Sequence, residues 1–79
     1  MTADHTKKLA SNILKAELAK RGLKFQQLHE KLKQIGVEDS YNNMRLKINR
    51  GTYSFAFFLD CMKAIDAKHL NLSEYLSEN

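Results

Sequence analysis

Apolar residues recur along the chain in stripes of helical spacing, separated by glycines or hydroxyl residues. In the first stripe Leu14 and Leu18 share a face with Ala10 one turn earlier and Ile13 beside it, while Lys8, Asn12 and Lys15 lie opposite. This predicts a helix over about Thr6 to Arg21, with Asp4 or Thr6 as cap and Gly22 as stop. A second stripe of Phe25, Leu28, Leu32 and Ile35 predicts a helix over Phe25 to Gln34 that Gly36 interrupts. Its outer face carries Gln26, Glu30, Lys31 and Lys33.

Residues 35 to 51, IGVEDSYNNMRLKINRG, predict a third helix that Asp39 or Ser40 caps and Gly51 ends. At about 100° per residue, Tyr41, Met44 and Ile48 fall on one face. Asn42, Asn43, Leu46, Lys47, Asn49 and Arg50 spread over the rest. Ser54 is positioned to cap a fourth helix, in which Phe55, Phe58, Leu59, Met62 and Ile65 form a continuous apolar face expected at the centre of the core. Phe57, Cys61 and Ala64 add a second strip. That predicts cover on two sides, from the first helix and from either the C-terminal segment or a partner chain. Leu72, Tyr75 and Leu76 after Ser73 predict a short closing helix. The expected fold class is all-α, a compact four- to five-helix bundle, with residues 1–79 as one domain and a core over about 6–76.

Composition agrees with this pattern and narrows the function. Proline is absent and there are only three glycines, which suits helices joined by short turns. At 79 residues a single core is small, so deep active-site architecture is not expected. The lone Cys61 has no internal disulfide partner, no secretory segment is recognised, and no apolar run reaches the roughly 20 residues of a membrane span. A reducing cytoplasm is the expected location. The formal charge of +4 is unevenly placed: residues 1–51 hold eleven Lys or Arg against five Asp or Glu, residues 52–79 two against four. A basic N-terminal two-thirds suits an anionic partner, although solubility alone also favours such a surplus.

The order of elements resembles the Cro/CI-type helix-turn-helix domains of phage repressors and their bacterial relatives, over roughly residues 9–72. The resemblance rests on Gly22-Leu23, on Leu28 and Leu32, on Ile48-Asn49-Arg50-Gly51, and on Phe58-Leu59 with Lys63-Ala64-Ile65. A more specific likeness is to small bacterial helix-turn-helix-like domains of unknown function. Leu14-Lys15-Ala16-Glu17-Leu18, Arg21-Gly22, Ile48-Asn49-Arg50-Gly51 and Phe57-Phe58-Leu59-Asp60-Cys61 carry it, and it implies no activity. The repressor likeness implies a lambda-repressor-like fold with an extended turn, because Gln34 to Asp39 replaces the usual short connection. Phe25 and Lys24 stand where that family has a phosphate-contacting glutamine and a hydroxyl cap. His29 stands where a small residue normally lets the two helices touch, which implies a wider splay. Glu17 and Arg45 occupy positions that are usually apolar and core-facing, which implies a buried ion pair between the first and third helices.

The expected function is DNA binding in transcriptional regulation, with the third helix as the reading element. Asn42 and Asn43 have the amide geometry to read adenine edges, and Lys47 and Arg50 suit guanine or phosphate, with Leu46 and Asn49 on the same surface. Lys24, Lys31 and Lys33 would flank the phosphate backbone. The bland reading is that the amides serve local hydrogen bonding near a helix start and that the cations are solvated. The alternative is a protein-interaction or adaptor module that keeps the fold. Expected partners are therefore double-stranded DNA, a second copy of the chain or another protein, and not a membrane. His5, His29 and His69 are dispersed and none pairs with Cys61 at metal-ligand spacing, so no metal, cofactor or catalytic residue is expected.

Overall fold

The computed structural model describes residues 2–76 and contains five helices among them. Helix α1 spans Ala3–Lys20, α2 Phe25–Gln34, α3 Tyr41–Arg50, α4 Phe55–Ala64 and α5 Ser73–Leu76. No helix among these residues is long and apolar enough to cross a membrane.

Capping chemistry sets most of these limits. Ser40 Oγ accepts the Asn43 amide and Ser54 Oγ accepts the Phe57 amide, each at 3.0 Å, so both later helices start one residue after a hydroxyl cap. At the start of α2 the roles reverse, and the Gln27 side chain accepts the Lys24 amide at 2.8 Å. The first helix begins earlier than its apolar stripe suggests. Thr2 caps it through an Oγ1 contact from the His5 amide at 3.1 Å, while Asp4 lies in the first turn, where an acid complements the helix dipole. Neither Asp4 nor Thr6 is the cap.

The core is built from Leu14 and Leu18 of α1, Leu28 and Leu32 of α2, Met44 and Ile48 of α3, and Cys61 of α4, all fully buried. Helix α1 packs on α3, and α2 packs on α3 and α4. Burial pushes the Cys61 thiol up to about 12, as befits a small apolar packing residue.

Helix α4 is turned from the expected orientation. Phe57, Cys61, Met62 and Ile65 are buried, whereas Phe55 exposes 72% of its surface and Leu59 50%. Phe57 and Cys61 of the strip expected to be secondary face inward together with Met62 and Ile65 of the expected central face, while Phe55 and Leu59 turn outward. With eight of its ten residues apolar, α4 has no single stripe for periodicity to select, and packing against α2 decides the matter.

Where α3 ends, Gly51 adopts a left-handed conformation at φ 66° and passes against α1. A Cβ there would lie 1.8 Å from the Lys7 carbonyl oxygen, so the close approach of the two helices requires a residue without a side chain.

Candidate functional site

The polar surface of α3 is organised from the preceding turn. Asp39 accepts from the Asn43 side chain at 3.0 Å through one oxygen and meets the Lys47 ammonium at 2.7 Å through the other. Its backbone carbonyl accepts from His29 Nε2 at 2.7 Å. The His29 ring in turn stands edge-on to Tyr41, with centroids 5.8 Å apart. Lys47 also sits 4.4 Å from the centre of the Phe57 ring. Asp39 thus meets α3 through its carboxylate and α2 through its backbone carbonyl, and Lys47 carries the contact on to α4. Lys47 and Asn43 hold it charged, keeping its carboxyl below the usual range.

These contacts divide the residues expected to form the site. Lys47 and Asn43 each contact Asp39 and flank that face, Asn43 remaining exposed. Met44 and Ile48 point into the core. What remains outward, within about 140° of arc, is Asn42, Arg45, Leu46, Asn49 and Arg50. Asn42, Asn49 and Arg50 are exposed; Arg45 and Leu46 are half-buried. On α2, Lys33 borders an open cleft of about 510 Å³ with His29 and residues 38–40, which puts it beside the start of α3. Lys24 and Lys31 fall on the opposite flank of α2 from His29 and Lys33. Among the described residues, none of Lys24, Lys31, Lys33, Arg45 and Arg50 joins an ion pair.

The expected pairing of Glu17 with Arg45 is not formed. Glu17 is buried, 2% exposed, but its partners are Lys20 at the end of its own helix and Arg21 just past it, each at 3.0 Å, and the hydroxyl of Tyr75 on α5. Burial works against its charge, yet the three donors outweigh it and hold the carboxyl below its ordinary range. Arg45 instead donates to Asn42 Oδ1 at 2.9 Å and lies on the outward face. Its helical spacing already carried that signal, since Arg45 is three residues from Asn42 and four from Asn49.

Fold and surface together define a small all-α domain that presents one short helix with an amide and guanidinium face. Residues 7–70 match a domain of unknown function, DUF6471, and the chain belongs to that family. No curated protein and no solved structure matches the chain.

Proposed function

We propose that this domain binds double-stranded DNA through the outward face of α3 and acts in transcriptional regulation. The observation that carries this reading is the composition of that face: two guanidiniums and two amides beside one aliphatic side chain, with the apolar residues of α3 directed inward. Guanidinium forks match the acceptor pair of guanine, side-chain amides match the donor and acceptor of adenine, and Leu46 suits a thymine methyl. The order α2, turn, α3 is that of a helix-turn-helix, and Lys33 beside the start of α3 is positioned for a flanking phosphate. Asp39 belongs to this reading as a positioning residue, because it fixes the turn from which α3 departs and keeps Lys47 at home.

A second reading, a protein-interaction module, draws on Leu46 at the middle of the same face. Fluorescence anisotropy with duplex DNA distinguishes the two. Replacing Arg45 and Arg50 together with alanine should weaken binding by about tenfold or more, and replacing Lys63 and Lys68 together by less than about threefold. Equal losses would mean diffuse attraction to charge, and no binding by the unaltered chain at low salt would favour the protein partner.

A further inference from the structure

Within the DNA reading of α3, on which this rests, we infer that Asn42 and Arg45 act as one unit that reads a guanine. Arg45 is the reader, Asn42 its positioning residue, and Arg50 a contact to the phosphate backbone. The two arginines of the outward face are not equivalent. Arg45 is half-buried and donates from Nη2 to Asn42 Oδ1 at 2.9 Å. Arg50 is exposed at the last position of α3, and none of the side-chain hydrogen bonds that a lysine or arginine donates among the described residues comes from it.

The Asn42 contact gives the guanidinium a direction. At about 100° per residue Arg45 and Arg50 leave the helix at opposite edges of the outward arc, and Asn42 leaves near its middle. Reaching back to Asn42 carries the Arg45 guanidinium from the edge to the middle of the face and towards the N-terminal end of α3. That is the end that meets base edges when such a helix lies in the major groove. The bond uses one N–H of the guanidinium. Nη1, Nε and the second hydrogen of Nη2 stay free, enough for the forked contact with O6 and N7 of guanine. Arg50 has no such guide, and a freely turning cation at a helix end suits phosphates, which position the protein without carrying sequence.

The guide is an amide, and that decides what Asn42 can do itself. A guanidinium has no acceptor, so the oxygen of Asn42 is the atom that faces it. Reading adenine takes that oxygen and the amide nitrogen together in a bidentate contact. With Oδ1 turned to Arg45, Asn42 gives up that contact, and Asn49 is left as the amide of the face for adenine. A neutral guide also leaves the charge of Arg45 whole. Lys47 is the contrast, since its ammonium meets the Asp39 carboxylate at 2.7 Å and is matched inside the protein. An arginine lodged in the groove still displaces counterions, so Arg45 adds to affinity as well as to base preference.

Selection by the full chain from a pool of duplexes with a randomised segment of about 16 base pairs, longer than one helical turn, tests this. Sequencing of the bound fraction should show, for the wild-type chain, one position at which guanine is favoured by about fivefold or more. Arg45→Ala, Arg45→Lys and Asn42→Ala should each flatten that position with helical circular dichroism retained. The double variant of Asn42→Ala with Arg45→Ala should flatten it no further than Arg45→Ala alone. Arg45→Lys should keep the salt dependence of the wild type, because it keeps the charge and loses only the fork. Asn42→Asp keeps an oxygen for Arg45 but has no amide to read adenine, so it should retain the guanine preference even where total affinity falls. Arg50→Lys should leave the preference unchanged. In the free chain, NMR relaxation should show Arg45 Nε more ordered than Arg50 Nε, and Asn42→Ala should remove the difference. A wild-type selection without an enriched guanine, a guanine preference that survives Asn42→Ala, its loss in Arg50→Lys instead of Arg45→Lys, an adenine preference that Asn42→Asp abolishes, or equal mobility of the two guanidiniums would each overturn the inference and leave DNA binding standing. No binding to the pool at low salt would overturn it together with the DNA reading.

Discussion

Three glycines end helices in this chain, but they are not equivalent in what they permit. Gly22 and Gly51 have nearly the same left-handed backbone, φ 67° and 66°, yet the space beside them differs completely. A methyl group on Gly22 would meet nothing within 4 Å, whereas on Gly51 it would strike the Lys7 carbonyl. Gly22→Ala should therefore cost only the left-handed conformational penalty, about 1–2 kcal/mol. Gly51→Ala should cost more than about 3 kcal/mol, because α1 and α3 must also move apart. Urea unfolding of the two variants checks this, and equal losses would show that the close approach of Gly51 to α1 contributes nothing. Asp66 is the non-glycine counterpart, left-handed at φ 56° in the turn that ends α4.

At the scale of elements, α5 depends on chemistry rather than on its own length. Four residues do not sustain a helix alone. The segment is tied to α1 by Tyr75 on Glu17 and by Lys20, which bridges Glu17 at 3.0 Å and Glu74 at 2.8 Å. The Glu17 carboxyl is held below its ordinary value, so its contribution is fully present above about pH 4.3, the unfolded value, and is lost as pH falls through the lower folded value. Glu17→Gln should cost about 2–4 kcal/mol at neutral pH, with the difference from wild type shrinking as the pH falls below about 4. Parallel stability curves from pH 7 to pH 3 would show that the charge of Glu17 is immaterial. The limits of α2, α3 and α4 were legible because cap and stop residues bracket each stripe. The start of α1 was not, because Ala3 to Lys8 contain no large apolar residue to mark an inward face. The inward face of α4 was hidden by an excess of apolar positions. The burial of Glu17 followed from the resemblance to repressor domains, where that position is usually apolar, but its partner Tyr75 did not: it is 58 residues away, and no local spacing connects them.

For the molecule as a whole, what matters is how many cations one ligand can reach at once. The outward face of α3 offers Arg45 and Arg50, and Lys33 lies beside the start of that helix, while Lys24 and Lys31 lie on the other flank of α2. Three neutralised phosphates would give a slope of log affinity against log salt of about −3 on duplex DNA, and all five cations about −4.5. The smaller value is expected from titrations at several salt concentrations, and a slope near zero would rule out the DNA reading. The candidate face was partly legible in sequence, since Asn42, Leu46, Asn49 and Arg50 do lie outward. That Lys47 and Asn43 both contact Asp39 was not legible, because a charge pattern does not show which carboxylate of the preceding turn they meet. The separation of roles within α3 also bears on how this domain can change. Met44 and Ile48 hold the fold, Asp39 with Lys47 and Asn43 sets the angle, and the five outward side chains are answerable to neither task. Their identities can thus drift, or be randomised in a library, with little loss of folding, so that one backbone could acquire a new target by rewriting half of a ten-residue helix.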